Sequence, residues 1–382
     1  MKIIIAAGGT GGHIIPAICM ADYFAHKDYD VTIFGDKNCK NYVKKTNLKF
    51  YLIPSSQVKN KITATIKISI GIIYSLILIL IKRPKYVICF GGYACFPIGI
   101  AAIISRTKLI IHEQNAHIGK VNKILSKYCE KVALTFKNTD GLDQKINNKY
   151  CHIGVPIKKE ISALHDKPYI LPDFTPKLFN MDTRMGYDVI LKSDFKKTDI
   201  KRQFFTITIV GGSGGAKIFS DIIPNAIFNL KNELKPKILI FQQCRKDLLQ
   251  ETFEKYKSFG VNIITDHFFE DMPSIIAQSH LVIARCGAST LFELSASKKP
   301  AIIVPFAKSS DDHQLKNAKY FANNNAAIMI KEDDFTINNV SKILNDLILN
   351  KEKLEKLSKN ISKLALPFAE QKLFNIIDES RQ

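Results

Sequence analysis

Lys2-Ile-Ile-Ile-Ala-Ala-Gly-Gly-Thr-Gly-Gly12 near the start of the chain and Thr206-Ile-Thr-Ile-Val-Gly-Gly-Ser-Gly-Gly215 in its second half decide the architecture. Each opens with a short, unbroken β-branched run. That is how a strand reads when both its faces are buried in a parallel sheet. Each run ends in a Gly-Gly-[Thr/Ser]-Gly-Gly loop, and a helical pattern follows, from near Ile14 in the first copy and Ala216 in the second. A glycine turn between strand and helix lets backbone N–H groups approach an anion, and the helix N-terminus adds partial positive charge. Thr10 and Ser213 add hydroxyl donors. One such loop is a weak signal. Two, at the heads of two similar halves, would grip a ligand lying in a cleft between them.

Further strands are predicted at 31–34, 50–53, 86–90, 108–112 and 131–134, then at 237–242, 261–264, 281–284, 301–304 and 326–329. Helix-length stretches such as 17–26 and 98–105 separate most of them. This alternation predicts an α/β chain of two doubly wound, Rossmann-like domains. The domains are expected at 1–155 and 205–382, with the last helices candidates to return to the N-terminal one. Residues 156–204, with mixed charge, several prolines and weak periodicity, read as a connection or insert.

Lysine and arginine number 55 against 35 acids, a net charge of +20, which favours an anionic partner: nucleic acid, anionic lipid or a phosphorylated substrate. No zinc-finger spacing, aromatic RNA-binding strand or dense basic tail is present, so nucleic acid is set aside. The eight cysteines are scattered without a CxxC pair and read as free, buried thiols of a reducing compartment. No signal peptide is expected, since Lys2 leads at once into a strand. Ile62 to Ile81 is long and apolar enough for a transmembrane helix. Lys67 interrupts it, hydroxyls punctuate it, and a strand follows immediately. It is therefore expected to be a crossover helix that returns to its sheet and keeps one greasy face uncovered, beside Lys59, Lys61, Lys82 and Arg83.

Dinucleotide and Walker patterns fit poorly. From Gly9 the first pattern gives Gly9, Gly11 and then Ile14; from Gly212 it gives Gly212, Gly214 and then Lys217. Asp36, just past the second strand, keeps a ribose-binding acid and an NAD enzyme as an outside reading.

Several loops together resemble one family. Gly8-Gly-Thr-Gly-Gly-His13-Ile-Ile-Pro16-Ala17, Gly91-Gly-Tyr93, His112-Glu-Gln-Asn115, Gly211-Gly-Ser-Gly-Gly-Ala216, Arg285-Cys-Gly-Ala-Ser-Thr-Leu-Phe-Glu293 and Asp312-His-Gln314-Leu-Lys-Asn317 are similar to the MurG family, in chain order to about residue 330. The resemblance implies a GT-B fold and an inverting transfer of N-acetylglucosamine from UDP-GlcNAc to the MurNAc 4-hydroxyl of lipid I, giving lipid II. It implies no cofactor and a peripheral place on the cytoplasmic face of the bacterial plasma membrane, against anionic lipid. It also implies that Thr10, Gly11, Gly12 and Asn115 face the donor sugar and diphosphate. Ser213, Phe269, Ala288, Ser289, Thr290, Leu291, Phe292 and Glu293 would hold the nucleotide, Glu293 accepting from the ribose hydroxyls, and Gln314 would read the sugar.

The chain departs from the family where Gly214 replaces a glutamine, where Lys158 replaces an arginine and so loses its bidentate fork, and where Ser220 replaces an asparagine. An acceptor hydroxyl must lose a proton as it attacks, and His13 at a helix start suits a general base; the alternative is a structural histidine. His112 and Glu113 end a strand where ligands gather, and either orients His13, binds acceptor hydroxyls or, for Glu113, caps a helix. Asp28-Tyr-Asp30 has the form of a metal-binding pair but precedes its strand, on the wrong edge of the sheet, so no metal site is expected. Two other classes stay open: another enzyme of this fold, such as a UDP-GlcNAc epimerase or glycolipid synthase, and a non-catalytic membrane-peripheral binding protein.

Overall fold

The computed structural model describes residues 1–55, 61–171, 204–212 and 215–379. Over these the chain divides into two compact units, Met1–Ser162 with Gly287–Phe292 and Leu366–Gln382, and Ala163–Cys286 with Glu293–Ala365. Most of the expected insert lies outside the described residues.

The first unit alternates β1 (Lys2–Ala7), α1 (Gly11–Ala25), β2 (Asp30–Gly35), α2 (Lys37–Val43), β3 (Lys49–Leu52), α3 (Lys61–Lys82), β4 (Tyr86–Cys89), α4 (Cys95–Ile104), β5 (Lys108–Glu113), α5 (Lys120–Leu125), β6 (Lys131–Leu134), β7 (Tyr150–His152) and α6 (Lys159–Ser162). Its seven strands are parallel in the order β3-β2-β1-β4-β5-β6-β7. The second alternates β8 (Phe205–Val210), α7 (Lys217–Phe228), β9 (Ile238–Gln243), α8 (Leu249–Ser258), β10 (Asn262–Asp266), α9 (Met272–Gln278), β11 (Leu281–Arg285), α10 (Ala288–Ala296), β12 (Ala301–Val304), α11 (His313–Asn323) and β13 (Ile328–Met329). Helices α12 (Ile337–Leu349), α13 (Lys351–Ser362) and α14 (Ala369–Glu379) close the chain. Its six parallel strands run β10-β9-β8-β11-β12-β13, the same winding with β8 in the place of β1. Both sheets are doubly wound, as the sequence predicts.

The unbroken runs are explained by burial on both faces. Ile3, Ile5 and Ala7 pack with Ile14, Met20 and Phe24 of α1 and with Leu373 and Ile377 of α14. Ile4 and Ala6 face the other way, toward Ile79 of α3 and Cys95, Ile98 and Ala102 of α4. All eight cysteines are at least half-buried.

Helix α3 has the length and composition to cross a membrane, yet only 22% of its apolar window is buried. It joins β3 to β4 within one sheet, so both its ends return to the same layer. Its packed seam is made of small residues: Ala64, Gly71 and Ser75, with Ile79. A Cβ on Gly71 would stand 2.1 Å from the Pro54 carbonyl oxygen and 3.1 Å from Pro97 of α4, so the helix sits too close for any side chain there. The large residues point out: Ile66, Ile70, Ile73, Ile77, Leu80 and Ile81 are all at least half exposed.

Where the chain leaves the first sheet, Glu370 of α14 accepts a 2.8 Å hydrogen bond from the Ile157 N–H. Burial pushes this carboxyl up to about 7 from 4.5, and its charge in turn raises the half-buried Tyr23 hydroxyl, after burial itself. Between those values the folded chain holds a proton that the unfolded chain releases. Stability therefore falls as pH rises from 4.5 through about 7, by on the order of 3 kcal/mol. Glu370→Gln keeps an acceptor for Ile157 without the charge. It is expected to raise Tm at pH 8 and to leave it unchanged near pH 4.5; an equal gain at both would assign the effect to packing.

Candidate active site

In both sheets strand order reverses beside the first strand, and open α/β sheets bind ligands at that switch point, beyond the strands' carboxyl ends. In the first unit the loops after β1, β4 and β5 meet there. A Cβ on Gly92 (φ +81°) would lie 2.3 Å from the Gly8 carbonyl oxygen, and one on Gly8 would lie 2.5 Å from the Ala94 Cβ. The two glycine turns interlock through missing side chains. Asp36 then fastens them: its Oδ2 accepts from Gly9 N at 2.7 Å and its Oδ1 from Cys39 N at 2.9 Å, capping α2. Asn38 Nδ2 donates back to the Gly9 carbonyl at 3.0 Å, so Gly9 is held through both its N–H and its C=O in the left-handed conformation. Tyr93 also hydrogen-bonds Asp36, and burial, followed by that bond, pushes its hydroxyl up to about 12. With both oxygens committed inside the protein, Asp36 is not a ribose-binding acid, and the dinucleotide reading fails.

Thr10 is the N-cap of α1, is exposed, and makes no capping bond with its hydroxyl. Gly11 and Gly12 form the first turn of α1, which begins three residues earlier than the apolar pattern shows. His13, half-buried, lies against Gly91, where a Cβ would stand 3.0 Å from its Cδ2 and 3.3 Å from its Nε2. Its charge would also be felt by His112. His112 is wholly buried and stacked on Phe90, ring centroids 4.9 Å apart. Its Nε2 donates to the Gly154 carbonyl at 2.9 Å and its Nδ1 accepts from Gln114 Nε2 at 3.0 Å, the tautomer this network requires. Burial lowers it to about 4, so it stays neutral at physiological pH.

Glu113 turns inward, 1% exposed, and its carboxyl is raised by burial against the opposing pull of its hydrogen bonds. It accepts from Asn115 N at 3.0 Å, Asn115 Nδ2 at 3.4 Å, Gly119 N at 2.9 Å and Asn122 Nδ2 at 2.8 Å. Gly119 is the N-cap of α5, so among the three roles open to Glu113 the structure takes the capping one, and it also fixes Asn115. Lys158 lies past β7; its carbonyl closes the single turn of α6 and its side chain is half-buried.

In the second unit Gly211, Gly212 and Gly215 follow β8, while Ser213 and Gly214 lie outside the described residues. Ser220 is buried and accepts from Gln242 Nε2 at 3.1 Å. Beyond β11, the Arg285 guanidinium bonds the Val304 carbonyl at 3.2 Å and pairs with Glu332, whose other oxygen accepts from Ala307 N at 3.1 Å. Gln314 Oε1 accepts from Cys286 N at 3.2 Å and Phe306 N at 3.1 Å, which leaves its Nε2 as the group to offer a ligand. Phe269, half-buried, sets its ring edge-on to Phe241, centroids 6.2 Å apart. On α10, Ala288, Leu291 and Phe292 are buried, so their side chains belong to packing. The buried Ser289 hydroxyl has no partner among the described residues, and Thr290 and Glu293 are half-buried. Asp28 and Asp30 sit at the N-terminal end of β2, the edge opposite these loops, where Asp30 pairs with Lys49 at 3.0 Å.

The glycosyltransferase family 28 N-terminal domain matches residues 3–134, and the glycosyltransferase family 28 C-terminal domain matches residues 206–373. A UDP-N-acetylglucosamine--N-acetylmuramyl-(pentapeptide) pyrophosphoryl-undecaprenol N-acetylglucosamine transferase from Wolbachia sp. subsp. Brugia malayi (strain TRS) is 32% identical over 370 residues, 96% of this chain and 95% of the relative. Among solved structures, Acinetobacter baumannii MurG superposes with a TM-score of 0.74 at 24% identity, over 99% of this chain and 100% of that one. A UDP-GlcNAc 2-epimerase from Neisseria meningitidis bound to UDP-GlcNAc gives 0.66 at 12% identity, over 99% and 100%; at such identities the likeness is one of fold. With two family domains in order and a relative matched end to end, the chain belongs to the MurG family of glycosyltransferase family 28.

Proposed function

We propose that this chain transfers N-acetylglucosamine from UDP-GlcNAc to the 4-hydroxyl of MurNAc in lipid I, with inversion, to give lipid II. The end-to-end identity with a transferase of that name carries the reading. The acceptor oxygen forms its bond to the anomeric carbon as the bond from that carbon to the UDP oxygen breaks. The hydroxyl proton passes to His13, which stands half-buried on the first turn of α1, whereas His112 is sealed in its neutral form. Thr10, Gly11, Gly12 and Asn115 meet the donor sugar and diphosphate; Ser213, Phe269, Ser289, Thr290 and Glu293, with the main chain of Ala288, Leu291 and Phe292, hold the nucleotide; Gln314 Nε2 reads the sugar and Lys158 adds positive charge. Negative charge developing on UDP is met by N–H groups at the second glycine loop and the start of α7, so the reaction needs neither metal nor cofactor. The test is UDP release with UDP-GlcNAc in EDTA, with and without a lipid I analogue. Acceptor-dependent release supports the reading. Release that requires magnesium removes its electrostatics, and acceptor-independent epimerisation of the sugar would replace it with another chemistry.

The same reading places the enzyme on the cytoplasmic face of the plasma membrane, with α3 as its docking element. An exposed apolar stripe bounded by Lys82 and Arg83 suits the headgroup region of an anionic bilayer. Each basic residue near such a surface contributes about 1 kcal/mol, weakening with salt. Lys82→Glu with Arg83→Glu is therefore expected to lower sedimentation with anionic vesicles while UDP-GlcNAc affinity holds. Full sedimentation of the double variant would exclude this patch.

A further inference from the structure

The second glycine loop has a neighbour that the family resemblance does not assign. Gly215 has φ +66°, and a Cβ on it would stand 2.9 Å from both the backbone N and the Cγ of Arg245. The arginine stem therefore lies directly on the loop. Arg245 follows β9, which runs parallel to β8, so the turns after both strands leave the same edge of the sheet. Its guanidinium is half exposed and engaged by Asp247 through two parallel bonds, Nε to Oδ1 at 3.0 Å and Nη2 to Oδ2 at 2.8 Å. That is the fork geometry with which arginine takes a phosphate. A pair this exposed is screened by water, so a change of partner costs little. Lys217, the first residue of α7, adds its field at the same carboxylate, which Arg245 first and foremost holds below the usual range.

We propose that Arg245 is a diphosphate-binding residue of the donor site: when UDP-GlcNAc arrives, the guanidinium leaves Asp247 and takes phosphate oxygens beside the second glycine loop. The assignment rests on the donor reading above. Asp247 is then a stand-in anion that keeps the fork oriented between turnovers.

Calorimetry on the full chain, with UDP and separately with uridine, tests this. Arg245→Ala is expected to weaken UDP binding by about 10- to 100-fold, the range for a charge-assisted hydrogen bond. Uridine, which has no phosphate, should bind as before, and the melting temperature should hold. Arg245→Lys should recover part of the loss, and Asp247→Ala should leave UDP binding equal or tighter. Wild-type UDP affinity in Arg245→Ala, or an equal loss for uridine, overturns the assignment. If Glu293→Ala meanwhile loses UDP, the donor reading survives that failure. If the wild-type chain binds no UDP, the donor reading falls and this assignment falls with it.

Discussion

Replacing His13 by alanine is expected to lower kcat by about 10²–10⁴-fold, with UDP-GlcNAc affinity falling far less. The expectation comes from the division of labour between two neighbouring histidines. His112 is enclosed, stacked on Phe90 and bonded at both ring nitrogens, and burial holds it neutral down to about 4, so it has no proton to trade near pH 7. His13 stands on the first turn of α1 in the space that Gly91 leaves by lacking a side chain. A base in that place acts on the transition state, so its loss should appear in kcat. Steady-state kinetics at saturating donor, with UDP-GlcNAc affinity measured directly, checks the split. A loss confined to KM would make His13 a binding or structural residue.

Glu293→Ala should loosen UDP-GlcNAc by roughly 1.5–3 kcal/mol, about 10- to 150-fold, the cost of losing a charge-assisted hydrogen bond to the ribose. The main chain of the helix is held at that point: Ser297 bonds the Glu293 carbonyl through both N and Oγ, the latter at 2.7 Å. An unchanged melting temperature in the same variant assigns a change in affinity to the carboxylate and not to a frayed α10. Glu293→Gln, which keeps one acceptor, should fall between. Calorimetry with UDP-GlcNAc showing unchanged affinity would remove Glu293 from the site.

How much of this was legible beforehand follows the range of the interactions. β1, β6, β8 and β12 could be read because burial on both faces writes a continuous apolar run into a few adjacent residues. β7 was missed, since Tyr150-Cys-His152 is a three-residue edge strand with no such run. The start of α1 was read late because Gly11 and Gly12 carry no side chain to show periodicity. Asp36 stayed open as an outside ribose-binding acid because its partner Gly9 is 27 positions away and reaches it only through the pairing of β1 with β2. The role of Glu113 stayed open among three from the sequence, and only its inward turn shows that its oxygens are spent on Asn115, Gly119 and Asn122. In α3, composition announced a greasy helix. Which side is covered was decided by how closely Gly71 approaches Pro54 and Pro97, a matter of packing that no hydropathy pattern records.

The outward stripe of α3 also bears on how copies of this protein treat one another in water. Uncovered isoleucines on every molecule attract their counterparts, while a charge of +20 keeps the molecules apart. Those two forces respond to the same variable. Raising ionic strength shortens the Debye length to about 8 Å at 0.15 M and about 3 Å at 1 M, which weakens the repulsion between copies and, on the docking proposed above, the hold on an anionic bilayer together. Salt therefore does not simply release this chain from lipid into a stable dispersion. If α3 docks as proposed, salt removes the colloidal barrier at the moment the stripe loses its cover, so the released protein is expected to self-associate, and a detergent or lipid that masks α3 is expected to keep it dispersed.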